Sequence, residues 1–266
     1  MDKTWPFFSA TRPRVFAHRG GCALGPENTI AAFDLGMAAG ADGLELDVHL
    51  SADGVVVVHH DETLDRTTNV AGQLCRLTAA ELSTVDAAYR FEHDGRFDFR
   101  GQGVGISTLR EVLRRYSDIP IIVEMKVDSA EMGQAVAADV RGADAVGRVC
   151  AAGFGPRAVH AARAALPEMA TSAAAPEVRL ALYRSWVRWP VRNVAYGGYQ
   201  VPEMAGGHRI VSPPFIRHAH GAGLEVQVWT VDEREDMNRL LSWGVDALIS
   251  NRPDLAVATR DAFCRG

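Results

Sequence analysis

Titratable side chains stand directly after short apolar runs in the first quarter of the sequence. His18 and Arg19 follow one such run, and His59 and His60 follow another. Because imidazole titrates near neutral pH, two histidines at one site can divide proton transfer, one accepting a proton and the other donating one. Successive side chains of a strand point to opposite faces, so at most one of His59 and His60 is expected to share that site.

Three carboxylates are spaced for metal binding. Glu45 and Asp47 are two residues apart in an apolar run, as are Glu124 and Lys126, so each pair faces one side of a strand. A divalent cation would relieve the desolvation and mutual repulsion of such carboxylates, and Lys126 would offer a point charge to a phosphate. A structural network in which Glu45 and Asp47 pair with Arg19 and Lys126 explains the first pair equally well.

These side chains need a scaffold that gathers the ends of several strands. β-Branched runs alternate with Ala-rich helical stretches, which is typical of a parallel sheet with helices packed outside it. The length of 266 residues suits an α/β fold of the TIM-type (β/α)8 barrel, whose functional residues lie at the carboxyl ends of the strands. Trp229 near the eighth strand is predicted to wall the substrate pocket, with a plain core position as the alternative.

Nine segments are predicted to be strands for the eight places of such a barrel: Arg14–His18, Gly43–His49, Val55–His60, Ile121–Lys126, Arg148–Ala152, Met169–Ala173, Asn193–Tyr196, Glu225–Thr230 and Ala247–Ser250. Helices are predicted between them at Thr29–Ala39, Leu109–Tyr116, Glu131–Arg141, Pro156–Leu166, Pro214–Gly221 and Glu233–Trp243.

Two stretches break the regular alternation. Residues 50–54 are too few for an ordinary crossover helix, so strict alternation must fail there. Residues 62–105 exceed the needs of one helix, and their glycines and charged residues predict a small inserted subdomain near the barrel mouth, after strand 3. The sequence therefore predicts one domain over residues 1–266 that includes a 62–105 insertion.

Composition excludes several classes of protein. A net charge of −5 gives no electrostatic reason to bind nucleic acid. The four cysteines show no disulfide or zinc spacing, and neither a signal peptide nor a transmembrane segment is predicted, so a cytoplasmic protein with reduced thiols is expected. Residues 5–8 (Trp-Pro-Phe-Phe) are expected to pack on the barrel, with peripheral membrane contact as the alternative. The sequence does not predict an oligomeric state.

Several motifs agree in order and spacing with those of one known family: His18-Arg19-Gly20, Pro26-Glu27-Asn28-Thr29, Glu45-x-Asp47-Val48, His60-Asp61, Glu124-Met125-Lys126 and Trp229-Thr230-Val231. Together they make the sequence resemble the glycerophosphodiester phosphodiesterase family over nearly its whole length. The resemblance implies a small-molecule substrate, hydrolysed to sn-glycerol 3-phosphate and an alcohol, and dependence on Ca²⁺ or Mg²⁺. It also implies roles for the matching residues: acid/base catalysis by His18 and His60, metal binding by Glu45, Asp47 and Glu124, and phosphate binding by Arg19 and Lys126.

Two alternatives remain open beside this function. A lysophospholipase D acting on lipid-chain diesters would keep the same site but need an apolar channel, for which the part of the insertion around Tyr89–Phe99 is the candidate. A catalytically silent barrel would only bind phosphorylated ligands. Ser250-Asn251 stands where the family has Thr-Asp, a departure that is expected to lie outside the chemistry. Gly153-Phe154-Gly155 replaces a common Ser-Phe, so the substrate-side wall is expected to differ.

Overall fold

The chain folds around one curved parallel sheet, seen in a computed structural model that describes residues 5–9 and 13–266. The strands are β1 Arg14–Ala17, β2 Gly43–Leu50, β3 Val56–Val58, β4 Ile121–Met125, β5 Val149–Ala152, β6 Ala170–Thr171, β7 Gly198–Pro202, β8 Met204–Ala205, β9 His208–Arg209, β10 Glu225–Trp229 and β11 Ala247–Ser250. Eight of them lie side by side in the order β6-β5-β4-β2-β1-β11-β10-β7, all parallel. A bridge between Ser172 and Gly198 joins the two ends of this sheet, so the barrel is nearly closed.

Helices cover the outside of the barrel: α1 Ile30–Ala38, α2 Ala79–Leu82, α3 Leu109–Arg115, α4 Ala130–Gly142, α5 Pro156–Ala165, α6 Ala175–Trp186, α7 Pro213–His220, α8 Arg234–Trp243 and α9 Pro253–Arg265. Side-chain caps define several of their starts, as at Thr29 before α1 and Thr108 before α3. Proline in the first turn begins others, such as α5 and α9. The prediction of a TIM-type barrel is confirmed.

Of the nine predicted strands, one is not a barrel strand and another is not a strand. The segment Val55–His60 contributes only β3, which pairs antiparallel with β2 and lies outside the barrel order. A connection of five residues allows a hairpin but not the crossover that a parallel neighbour needs. The segment Asn193–Tyr196 is not a strand, because Asn193 has a φ of 54°, and the barrel strand there is β7.

The stretch between β3 and α3 contains a short 3-10 turn, Leu74–Arg76, and the four-residue helix α2. Its apolar side chains form a cluster of their own with Val57 of β3 and Ile106; the other buried members are Leu64, Leu74, Leu82, Val85 and Ala87. Because Val57 is on β3, this cluster ties the segment to the strand that precedes His60.

The amino-terminal end of the barrel is closed by aromatic residues. Trp5 and Phe7 are buried in a cluster with Phe16 of β1, and the Phe7 and Phe16 rings stack at 5.8 Å. Arg14 donates to the Phe7 carbonyl at 2.8 Å and pairs with Glu225 at 2.8 Å. The expected packing of residues 5–8 on the barrel is therefore observed. Among the described helices, none is long and apolar enough to cross a membrane.

Candidate active site

One cavity of about 230 Å³ lies at the carboxyl ends of the barrel strands. It is lined by all of the residues that the sequence singled out: His18, Arg19, Glu45, Asp47, His60, Glu124, Lys126 and Trp229. They come from five places in the chain: the turn after β1, the strand β2, the segment after β3, the end of β4 and the end of β10. Lys126 directly follows β4. His59 points elsewhere: it is buried and its ring nitrogen faces the Thr63 carbonyl at 3.2 Å.

The three carboxylates converge because two parallel strands are in register. Asp47 on β2 is paired with Glu124 on β4, and Glu45 lies two residues earlier on the same face of β2. One carboxylate oxygen from each lies within 4.8 Å of the others. Burial, together with the charges of Asp47 and Glu124, raises the pKa of Glu45 well above its usual range.

Two cationic side chains and an amide hold the carboxylates in place. Lys126 donates to Glu124 at 2.8 Å and lies 3.4 Å from Asp47, and the Arg19 Nε lies 3.2 Å from Asp47. Asn28 donates to Asp47 at 2.9 Å, and its own oxygen accepts from the Asp47 backbone N–H. Asp47 thus forms the ion pairs of the alternative network, whereas Glu45 accepts the Arg19 backbone N–H at 3.0 Å and has no ion pair with either cation among the described residues. Arg19 and Lys126 supply two positive charges for three carboxylates.

His18 is fixed by a chain of hydrogen bonds from two later loops. Its Nδ1 lies 2.6 Å from the Asn251 side-chain oxygen, and the Asn251 amide nitrogen donates to Asp232 at 2.7 Å. Since the carboxylate of Asp232 can only accept, the oxygen of Asn251 must face His18, which therefore donates through Nδ1. Its Nε2 lies 3.8 Å from Glu45. Burial lowers the pKa of His18 and favours the neutral ring.

The expectation that Ser250-Asn251 lies outside the chemistry is therefore wrong. Asn251 is separated from His18 by 233 positions in the chain, yet it contacts the imidazole directly. Strands β1 and β11 are neighbours in the barrel, so the loops after them meet at the mouth. The sequence pattern offered one signal, the departure from Thr-Asp at this position.

His60 is supported from its own loop. Its Nδ1 lies 2.5 Å from Asp61, which also accepts from Arg66 at 2.5 Å. Arg66 in turn donates to Glu27 through two nitrogens, and Glu27 accepts from Arg19 at 3.1 Å. The residues that orient the two histidines, above all Asp232 and Arg66, had no assigned role in the sequence analysis.

The remaining wall of the cavity is aromatic and leads into a second space. The rings of Trp229 and Phe154 meet edge to face at 5.8 Å. Beyond them lies a cleft of about 340 Å³ that shares Glu124, Phe154, Gln200 and Trp229 with the first cavity. Its other lining is mostly apolar and comes from the ends of β5, β6 and β7, the start of α6 and the hairpin that follows β7: Ala152, Gly153, Ser172, Ala173, Ala175, Val178, Arg179, Val201, Pro202, Ala205 and Ile210.

Comparison with known proteins decides the family. The model of the Glycerophosphoryl diester phosphodiesterase family matches residues 18–255. The chain belongs to this family. Among curated proteins of the family, the glycerophosphodiester phosphodiesterase of Caldanaerobacter subterraneus subsp. tengcongensis is 30% identical over 91% of this chain and 96% of its own length.

Solved structures of glycerophosphodiester phosphodiesterases have the same fold. The enzyme from Agrobacterium tumefaciens superposes with a TM-score of 0.75 at 30% identity, covering 94% of this chain and 99% of that chain. An Oleispira antarctica phosphodiesterase in complex with the product sn-glycerol-3-phosphate has a TM-score of 0.75 at 25% identity, covering 94% and 97%. The predictions of the family and of the enzyme class, a phosphoric diester hydrolase, are confirmed.

Proposed function

We propose that this enzyme hydrolyses a glycerophosphodiester to sn-glycerol 3-phosphate and an alcohol with the help of a divalent cation, Ca²⁺ or Mg²⁺. The observation that carries the proposal is the single cavity in which two histidines, three carboxylates and two cationic side chains meet. The relative from Oleispira antarctica, in complex with sn-glycerol-3-phosphate, supports the same product.

The donor set at the site suits a hard cation. Glu45, Asp47 and Glu124 would hold it through carboxylate oxygens, which Ca²⁺ and Mg²⁺ both prefer. Burial, and after it the neighbouring carboxylates of Asp47 and Glu124, raise the pKa of Glu45, and a bound cation would relieve both effects. When bound, the cation would neutralise charge on the phosphate as a Lewis acid.

Proton transfer falls to the two histidines in this proposal. Because His18 donates through Nδ1 to Asn251, its Nε2 lone pair is available to accept a proton from the attacking oxygen. His60 would protonate the departing alcohol, with Asp61 holding its other nitrogen. The attacking group is a water or the glycerol 2-hydroxyl; in the second route a cyclic phosphate forms first and is then opened by water.

Arg19 and Lys126 would hold the non-bridging phosphate oxygens. Both already contact the carboxylates that line the cavity, so their charges are positioned before substrate binds. Trp229 would wall the substrate pocket beside them. We also propose that residues 1–266 act as one cytoplasmic domain and that the 62–105 insertion shapes access through its link to the His60 loop.

One observation favours a second candidate, hydrolysis of lipid-chain diesters by a lysophospholipase D reaction. The apolar cleft of about 340 Å³ opens beside the phosphodiester site and can take a hydrocarbon chain. It lies against β6, β7 and α6, whereas the sequence pointed to residues 89–99 for such a channel. The third possibility is a silent phosphate-binding barrel. Such a protein would tend to have lost one or more of the five key residues, and the cavity retains all five: His18, His60, Glu45, Asp47 and Glu124.

Release of glycerol 3-phosphate from glycerophosphocholine and glycerophosphoethanolamine tests the proposal. The purified protein is assayed with chelator and then with Ca²⁺ or Mg²⁺ restored separately, and lysophosphatidylcholine serves as the lipid-chain substrate. We expect chelator-sensitive release. Turnover of the lipid substrate alone would favour the second candidate, and no turnover of any substrate with either metal would leave only the silent barrel.

Variants separate the histidine roles from the fold. His18→Ala and His60→Ala should each lower kcat by about 10²-fold or more at an unchanged thermal midpoint. His59→Ala is the matched neighbour: its ring lies outside the cavity, so its effect is expected on stability and not on the chemical step. Near-normal turnover by His18→Ala would contradict the assignment of His18 as an acid/base residue.

A further inference from the structure

Apolar side chains cover the outward face of α6 and the loop after it. We define the α6 surface as the five apolar and aromatic residues of this region whose side chains are at least half exposed: Leu180, Tyr183, Trp186, Val187 and Trp189. The rings of Tyr183 and Trp186 pack edge to face at 5.2 Å. Exposed apolar patches of this kind on a folded protein commonly mark an interaction site.

Helical geometry separates this surface from the core. At 100° per residue, positions 180, 183, 186 and 187 share one face, and the buried residues Ala181, Leu182 and Ser185 lie opposite. A helix packed on a barrel needs an apolar face only on the inside. The outer face of α6 is therefore apolar without contributing to the core, so packing within this chain does not explain it.

Arginines are interleaved with the apolar residues. Residues 179–192 contain Arg179, Arg184, Arg188 and Arg192 and no acidic residue, in a chain whose net charge is −5. In the part of the chain that the structure describes, these four guanidinium groups form no ion pair. The segment is thus a local positive charge that other side chains do not neutralise.

The α6 surface begins at the rim of the apolar cleft. Val178 and Arg179, in the first half of α6, line that cleft beside the active site. The loop after the helix is fixed to the neighbouring helix, because His218 of α7 contacts the Trp189 carbonyl at 2.8 Å. The two exposed tryptophans are therefore held at the end of α6 that precedes β7, at the amino-terminal end of the barrel strands and away from the active-site mouth.

We propose that the α6 surface docks the protein on a membrane surface that contains anionic lipid. Tryptophan and tyrosine favour the interface between headgroups and acyl chains, and clustered arginines are attracted to anionic headgroups. A symmetric contact between two copies would oppose two sets of four arginines. Single-stranded nucleic acid would use flat aromatic platforms in a groove, whereas Leu180 and Val187 on a convex helix offer none.

Vesicle sedimentation of the full chain tests the docking. Binding to phosphatidylcholine vesicles is compared with binding to vesicles that also contain phosphatidylglycerol, at low and high salt. We expect binding that needs the anionic lipid, weakens with salt and shifts tryptophan emission to the blue. Trp186→Ser/Trp189→Ser and Arg188→Asn/Arg192→Gln should each weaken binding on the order of tenfold or more.

The control variants remove the same types of side chain, an aromatic ring and an arginine, at surface positions outside the α6 surface. Phe263→Ser removes an exposed aromatic side chain of α9, and Arg157→Gln removes an exposed charge of α5. Both should bind vesicles like the wild type. All variants lie outside the active-site cavity, so hydrolysis of a soluble glycerophosphodiester should stay unchanged.

Three results would overturn the proposal. Equal vesicle binding by the α6 variants and the control variants would show that the α6 surface does not contribute to binding. A dimer in solution that dissociates in the tryptophan variant would make a second copy the occupant. Binding to a single-stranded oligonucleotide that competes with vesicles would assign the surface to nucleic acid. Because sedimentation does not depend on turnover, each outcome can be read even if no substrate is hydrolysed.

Discussion

At the scale of single residues, His18 is held by a partner that is not part of the cavity lining. Asn251 accepts from the His18 Nδ1 at 2.6 Å and is itself held by Asp232. Without this acceptor the imidazole can adopt the other tautomer or rotate, and its Nε2 is no longer aimed reliably. We therefore infer that Asn251 is a positioning residue for His18, the proposed general base.

Replacement of Asn251 by alanine should lower kcat on the order of tenfold or more with little change in KM, because the loss concerns proton transfer and not substrate contacts. Steady-state kinetics with glycerophosphocholine measures both constants. Ser250→Ala serves as the control: Ser250 also bonds to Asp232, at 2.9 Å, but does not contact His18. Equal losses in the two variants would show that Asn251 acts only through the loop structure.

At the scale of elements, helix α1 sets the position of the turn that carries His18 and Arg19. Gly36 on α1 lies so close to this turn that an added Cβ would stand 2.5 Å from the Gly20 carbonyl oxygen and 2.8 Å from the Ala17 Cβ. The helix and the turn can approach this closely only because position 36 has no side chain. Any larger residue must push the turn away from β2.

Gly36→Ala should destabilise the fold by about 1–3 kcal/mol through overpacking and lower kcat on the order of tenfold by displacing the turn. Urea unfolding and the activity assay measure the two effects. Gly142→Ala in α4 is the matched change, since its nearest neighbour would be an Arg110 nitrogen at 3.8 Å, and it should be neutral or stabilise by up to about 1 kcal/mol. If both variants behave alike, crowding at position 36 has no role.

Elements also differ in how far the sequence predicts them. The sequence predicts β4 from its β-branched run Ile121–Val123 and β2 from the alternation of apolar and acidic residues over Leu44–Val48. The direction of β3 depends on the length of a connection, which excludes a crossover but does not by itself show the pairing. Helix α6 was not predicted, because apolar residues on its outer face, such as Tyr183 and Trp186, hide the periodicity that marks an amphipathic helix.

At the scale of the whole molecule, the candidate site combines residues that local patterns predict with residues that only the barrel brings together. Strand periodicity placed Glu45 and Asp47 on one face, and strand ends placed His18 and His60 at the mouth. The contacts of Asn251 and Asp232 with the His18 side of the site depend on β1 and β11 being neighbours. No local pattern contains that information, so these supporting residues were missed.

The last prediction concerns the stability of the whole fold in the presence of a cation. Glu45 is buried beside Asp47 and Glu124, and the two nearby cations, Arg19 and Lys126, are fewer than the three carboxylates, so a further positive charge should favour the folded state. A cation that binds only the folded state adds about 2.7 kcal/mol at a hundredfold excess over its Kd. For a protein of this length we expect the thermal midpoint to rise by about 5–10 °C on addition of Ca²⁺ or Mg²⁺ to chelator-treated protein.

Two substitutions of the same kind separate site binding from a general salt effect. Glu124→Gln removes one of the proposed ligands and should abolish most of the cation-induced rise. Glu168→Gln removes an exposed carboxylate after α5 and should leave the rise intact. An equal rise of the thermal midpoint in both variants would mean that the cation binds elsewhere. The three carboxylates would then serve only the ion pairs with Arg19 and Lys126, and this conclusion would hold whatever the result of the activity assay.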